Sequence, residues 1–354
     1  MKSPSLLLSL VAAVTMTFGL SNSSVQAQCP ADVNHDQQVN ATDLASVLSA
    51  WGTNGSTTGT DINNDGLVNG SDLTFVFSGW GPCPGPTWAT VLEWAPDAAV
   101  VTNGTMRNAI TASGLPWRVR DNSSNIEMLL VPPGTFQMGC IMGSDSENCQ
   151  LPEQPVHTVT LTSAYYLGRY EVTQAQWQAQ MGSNPSFYKQ QADSPSRPVE
   201  QVSWNTIQNF LSATALRLPT EAEWEFACRA GTTTPFHSGP GFPNGTTNDD
   251  LVVTIAWYDA NSRWATHAVG GKAANALGMH DMLGNVWEWQ SDCFGWYSSE
   301  AQTNPTGPVS GLGPVLRGGS WGHPTDSVRS SGRTYDWPDG ASNNVGFRVA
   351  RAPS

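Results

Sequence analysis

A gapless internal repeat constrains the N-terminal part of this chain more tightly than any other feature. DVNHDQQVNATDLASVLSAWG starts at Asp32 and DINNDGLVNGSDLTFVFSGWG starts at Asp61, an offset of 61 − 32 = 29 residues. Each copy places oxygen side chains at loop positions 1, 3, 5, 9 and 12: Asp32, Asn34, Asp36, Asn40 and Asp43, then Asp61, Asn63, Asp65, Asn69 and Asp72. Calcium is a hard cation that takes about six to eight oxygens, and this alternation folds them around a point. The backbone carbonyls of Gln38 and Leu67 complete each shell at position 7. After each loop the apolar residues follow helical spacing: Leu44, Val47, Leu48 and Trp51, then Leu73, Val76, Phe77 and Trp80. Neither loop leaves room for a helix ahead of it. Gln37 stands at the sharp turn that Gly66 fills in the second copy. A non-glycine residue there carries a backbone cost, so the first loop is expected to bind calcium more weakly.

Residues 1–27 read as an export signal, with Lys2 ahead of an apolar run from Leu6 to Leu20 and a small-residue cleavage site at Val25-Gln26-Ala27. That run, and every later one, is short of the roughly 18 apolar residues of a membrane span. The expected location is secreted or cell surface. Asp+Glu number 29 against Lys+Arg 16, a net charge of −13, which leaves no clustered cationic surface for nucleic acid. Only 13% of residues are charged, while Gly, Pro and Trp are plentiful, which suggests a loop-rich fold tied together by aromatics. The six cysteines point to disulfides in an exported chain, with connectivity open. Cys29 and Cys83 bracket the repeat, Cys140 and Cys149 close a short loop, and Cys228 and Cys293 remain as a candidate third pair.

The repeat module is taken as 28–83, a connector as 84–125 from the PGPT boundary at Pro84, and a large domain as 126–352. A helix is expected near Thr105–Ala112, but the connector carries no chemistry. In the large domain, Thr173 with Gln176, and Thr220 with Glu223, form capping boxes that start helices. A further helix is expected from Ser203, burying Trp204, Ile207 and Leu211.

Two resemblances follow from these residues. The duplicated loop-and-helix unit resembles a type I dockerin, which implies an all-α calcium module and a cohesin-type partner. The family's recognition residues correspond to Ala41-Thr42 and Gly70-Ser71; a plain calcium-stiffened spacer is the other reading. VPPGTFQMG, PVHTVTLTSAYYLGRYEVTQAQW, RLPTEAEWEFACRAG, GMHDMLGNVWEW, LRGGSW and NNVGFRVAR occur in the order of the formylglycine-generating enzyme (sulfatase-modifying factor) family. That resemblance implies a C-type-lectin-like α+β fold, rich in loops. It also implies copper held by two cysteines, three and eight residues after the Ser of an Arg-Gly-Gly-Ser signature. Here the signature is Arg317 to Ser320, those positions are His323 and Val328, and no cysteine follows Cys293. Copper is therefore unlikely. The resemblance implies calcium at Asp281, Gly284, Val286 and Glu288, and makes Ser320 a substrate-pocket residue. Trp321, Arg329 and Arg333 could line a groove, although Arg333 and Arg348 are favoured as buried partners of carboxylates. The reading leans away from an enzyme, toward a calcium-stabilised binding domain for a glycan or peptide, tethered through the dockerin-like module. The alternative is a formylglycine-generating oxidoreductase acting on a sulfatase cysteine through a non-standard site.

Overall fold

In the computed structural model each repeat loop builds the start of its own helix. The structure describes residues 29–353 apart from His35, Gln37, Ser56, Thr57, Pro84 and 141–148. The export signal and the Gln37 turn thus lie outside the described residues. Asn40 accepts from the Thr42 N–H at 2.8 Å, and the Asp43 carboxylate reaches back to the Asn40 N–H at 2.9 Å. Asn69 and Asp72 repeat this on Ser71 and Asn69, at 2.7 and 2.8 Å. These boxes start α1 (Ala41–Ser49) and α2 (Gly70–Ser78), with an anion at each positive helix end. β1 (Gln38–Val39) pairs antiparallel with β2 (Gly81–Pro82), and the Cys29–Cys83 disulfide closes the unit. Its core is small: Val39, Val47, Ile62, Val68 and Val76 are buried. Leu48, Trp51, Phe77 and Trp80 share the helical spacing of the core residues, yet each is about half exposed, at 49 to 60%. Two nine-residue helices have only one fully covered stripe to share.

The expected connector is in part a wall of the large domain. β3 (Ala89–Glu93) pairs with β4 (Arg118–Asp121), and β4 pairs with β5 (Glu127–Val131), all antiparallel. Trp117 and Val119 are buried with Met106 and Ile110 of α3 (Gly104–Ala112), so this segment has its own reason to pack. β8 (Tyr165–Gly168) and β14 (Ala350–Arg351) complete a five-stranded sheet of order β14-β8-β5-β4-β3. β6 (Gly134–Met138), β7 (His157–Leu161) and β10 (Gln302–Thr303) form a three-stranded sheet. β9 (Trp287–Cys293), β11 (Pro314–Arg317), β12 (Arg333–Tyr335) and β13 (Val345–Gly346) form a four-stranded one. The whole is a mixed α+β architecture. No helix among the described residues is long and apolar enough to cross a membrane.

Both expected capping boxes are present, at the starts of α4 (Gln174–Met181) and α6 (Glu221–Arg229). α5 (Trp204–Thr214) buries Ile207, Phe210 and Leu211, whereas Trp204 stays half-buried and donates to Gln290 O at 2.9 Å. α6 lies at the centre, and every residue of it except Glu223 is buried. Its charges are satisfied from far along the chain. Glu225 pairs with Arg229 and Arg317, and Glu221 takes Arg333 through both oxygens at 2.6 and 2.7 Å. Nearby, Arg329 grips Glu153 at 2.6 and 2.8 Å, and Arg348 grips Glu288 at 2.6 Å. Arg329 and Arg333 are therefore internal ties rather than groove residues, and Arg348 is one as well. Asp292 caps α6, accepting the Glu221 N–H at 2.9 Å.

Cys140 pairs with Cys149, but Cys228 and Cys293 are both free thiols, against the expected third pair. Asp292 fixes the end of β9 to the first turn of α6. Cys228 lies seven residues beyond Glu221, about 10 Å further along the helix axis.

Two outcomes follow from this core. Arg329→Met strands Glu153 as a buried, unpaired charge and should cost about 3–5 kcal/mol in chemical denaturation. Pairing it with Glu153→Leu should recover most of that loss, and a double variant no better than the single one refutes the account. Burial first, then repulsion from Glu221, lifts the Asp292 carboxyl from 3.8 to about 7. Between those values the folded chain keeps a proton that the unfolded chain has released, so stability falls as pH rises through that window. Asp292→Asn should remove that fall, of order 4 kcal/mol, and equal pH slopes for the two proteins in thermal melts would contradict it.

Candidate functional site

The Arg-Gly-Gly-Ser segment turns sharply out of β11. Gly318 and Gly319 have φ of +95° and +77°, and a Cβ on Gly319 would lie 2.7 Å from the Val328 side chain. Only glycine tolerates both the dihedral and the contact. The turn delivers Ser320, whose Oγ shares a hydrogen bond of 2.7 Å with His323 Nδ1 and receives one of 3.4 Å from Asn344 Nδ2. His323 stands edge-on to Trp287 with ring centroids 5.4 Å apart. Burial lowers the pKa of its imidazole, partly opposed by Asp259. Val328 is fully buried and apolar. Of the free thiols, Cys228 Sγ lies against Ser330 Oγ at 3.6 Å, and burial pushes it up to about 12. Cys293 sits at the far end of β9 from Trp287. Neither the Ser320 turn nor α6 brings two thiols together.

Around Ser320 the structure assembles an aromatic face that the sequence did not reveal. Phe187 meets Tyr188 at 5.0 Å, Tyr188 meets Trp321 at 5.8 Å, and Trp321 meets Trp264 at 6.3 Å. Phe187 and Trp264 are 63 and 67% exposed. Arg263 and Trp264 both hold left-handed backbone, φ +56° and +61°, and the Trp264 carbonyl accepts from Tyr188 at 2.9 Å. Bulky residues sit there only when their surroundings enforce it. The rings come from three separate segments, so no local pattern announces them.

The carboxylates expected around calcium divide into three groups. In the first loop, ligand atoms of Asp32, Asp36 and Asp43 lie within 4.8 Å of one another, and this is the one such cluster of three among the described residues. The Asp32 and Asn34 oxygens both accept the Asp36 N–H at 3.0 Å. In the second loop, Asp61 accepts from Asp65 and Gly66, at 3.1 and 2.9 Å, and Asp72 accepts from Ile62 at 2.8 Å. The sequence expected the first loop to be the poorer; the structure gathers its carboxylates more closely. In the large domain, Asp281 is buried with φ +53°, accepts from the Gly270 N–H through Oδ2 at 2.6 Å, and leaves Oδ1 without a partner. Glu288 is already held by Arg348 and by Trp224 Nε1, at 2.8 Å from the indole. Gly284, φ +81°, is pressed against Trp257, and the Val286 N–H is taken by Glu171 at 3.1 Å. The orphaned buried oxygen leaves Asp281 able to take a cation, whereas both Glu288 oxygens are already held by Arg348.

Residues 114–353 match the family described as Sulfatase-modifying factor enzyme 1-like domain, and residues 30–77 match the Dockerin type I domain. The chain belongs to the sulfatase-modifying factor enzyme 1-like family and carries an N-terminal type I dockerin domain. A formylglycine-generating enzyme of Thermomonospora curvata is 32% identical over 192 residues, covering 51% of this chain and 62% of that protein. A Chlamydia caviae protein named serine/threonine-protein kinase pkn1 is 31% identical over 251 residues, covering 64% of this chain and 38% of that protein. Among solved structures, Treponema denticola variable protein 1 superposes with a TM-score of 0.57 at 30% identity, covering 64% of this chain and 95% of its own. The chain thus spans between 38 and 62% of the length of those two curated relatives.

A type I dockerin implies calcium, and the oxygens of the two loops are its candidate ligands. Asp36→Ala and Asp65→Ala alter exposed ligands without touching either helix cap, so each should remove one bound calcium in titration calorimetry. An unchanged stoichiometry in either variant would reject that loop as a site.

Proposed function

We propose that the large domain is a binding member of its family rather than a copper oxidase, and that it is tethered through the dockerin. The supporting observation is the Ser320 turn. Where the family resemblance puts two copper thiolates, this chain has an imidazole bonded to Ser320 and a buried valine. Cu(I) prefers soft thiolate ligands, and neither residue is one. What the turn offers instead is Trp321, set between the exposed rings of Phe187 and Trp264, with Ser320 buried behind them. Flat aromatic faces with a polar edge suit a glycan or a peptide carried by a lectin-like domain. Asp281, with Glu288 at its side, would hold a structural calcium that fixes the loop beneath this face. The dockerin, once calcium has ordered its loops, would dock a cohesin-type protein outside the cell, consistent with an exported chain.

The test is an oxidation assay. Protein loaded with Cu(I) in air is incubated with a Cys-x-Pro-x-Arg peptide, beside an active cysteine-containing relative, and followed by mass spectrometry. The expected result is no aldehyde product from this chain. Turnover comparable to the control would overturn the proposal and establish an oxidase with a different metal site.

A further inference from the structure

At the end of β9 remote from Ser320 lies a second concavity, of about 600 Å³. β9 is seven residues long, so its ends are about 20 Å apart and the two places are distinct. The cavity is built rather than incidental. The loop after β10 is pinned over it by two glycines: a Cβ on Gly307 would lie 2.9 Å from Asp292 Cβ, and one on Gly311 would lie 2.3 Å from Phe294 O. Phe294 and the Leu312–Gly313 backbone exchange hydrogen bonds of 2.7 and 3.3 Å. The floor is made of the Asp292 carboxyl and of Glu221, which is closed by Arg333 and by the Tyr297 hydroxyl at 3.1 Å. Arg333 is itself sandwiched by Phe294 and Tyr297, at 4.3 and 4.0 Å from their centroids. That cation is therefore spent internally. Burial lifts the Asp292 carboxyl to about 7, so below neutral pH the floor offers polar atoms with little free charge.

The rim has a different character. Trp296 is 68% exposed and Leu312 54% exposed, both on the lip. Ser298, Gln302, Thr306 and Ser310 also line the cavity, a set of neutral donors and acceptors. Glu221 and Arg333 satisfy each other, so a charged ligand gains little here, and a purely apolar one would leave these polar groups unpaired. A hydroxylated ring satisfies both demands, with its C–H face on the indole and its hydroxyls on the amide and hydroxyl wall. The volume lies within the usual range for small-ligand sites.

We infer that this pocket is a saccharide-binding site in which the Trp296 ring stacks on a neutral sugar and the Gln302, Thr306 and Ser310 wall bonds its hydroxyls. It does not rest on the reading of the Ser320 face.

The test uses the full chain with calcium, titrated with cellohexaose, xylohexaose, maltohexaose and N-acetylchitohexaose while tryptophan fluorescence and heat are recorded. At least one oligosaccharide should bind. Trp296→Ala should weaken it about tenfold or more, as expected for loss of a central aromatic contact. Trp51→Ala, an exposed tryptophan of the dockerin that belongs to neither face, should leave the affinity within twofold. Gln302→Ala, which removes no ring, should also weaken binding. The proposal is overturned by no binding of any of the four, by binding lost in Trp264→Ala but kept in Trp296→Ala, or by binding of the Cys-x-Pro-x-Arg peptide at Trp296 in their place.

Discussion

The large domain depends on carboxylates of α6 being met inside the protein by arginines more than eighty residues later in the chain. Glu221 and Glu225 are buried on one helix, and Arg317 and Arg333 arrive from neighbouring strands of one sheet. Burying any one of these charges alone would cost several kcal/mol, so the helix and the sheet are acceptable only together. With little regular structure and much loop, directional pairs of this kind specify which loops meet. Arg329 with Glu153 and Arg348 with Glu288 extend the same device to the segment beside Cys140 and to the C-terminal strands. The Ser320 turn leaves β11 directly after Arg317, and so it inherits its position from this network.

Features written in a few consecutive residues were legible in the sequence. The capping boxes at Thr173 and Thr220 and the helix at Thr105–Ala112 rest on contacts three or four residues apart, and the loop oxygens on contacts within about a dozen. The partners of Glu221 and Glu225 were not legible, because nothing local distinguishes a buried carboxylate from a surface one within a helix. The third disulfide failed for a related reason: an even count says nothing about where β9 meets α6, and that contact is made through Asp292 rather than Cys293. The segment 84–125 looked like a connector because it follows the Pro84 boundary and carries no chemistry, yet Trp117 and Val119 are buried and seat β4, with β3 beside it, on β5. The aromatic face is the most distributed feature. Phe187, Trp264 and Trp321 each look like an ordinary core aromatic until the fold leaves two of them in water.

The two ends of β9 show how one rigid strand can serve unrelated chemistries. Trp287 at its start supports His323 beneath the exposed rings. Asp292 near its finish caps α6 and floors a cavity. A strand buried at Trp287, Glu288, Trp289, Gln290 and Asp292 cannot shift register without exposing them, so the two ends are held at a fixed separation.

The disulfide between Cys29 and Cys83 has a mechanical consequence. It joins residues 54 positions apart with Cα atoms 5.5 Å from each other. Without it, that stretch of chain pulled straight would lengthen by roughly 180 Å. With it, tension applied at the two ends of the dockerin runs through one covalent bridge and bypasses the calcium loops. A partner gripping the helices would still load them from the side, but the module cannot be unravelled lengthwise. The bridge thus caps how far the stretch between residues 29 and 83 can lengthen, whether or not the loops hold their ions.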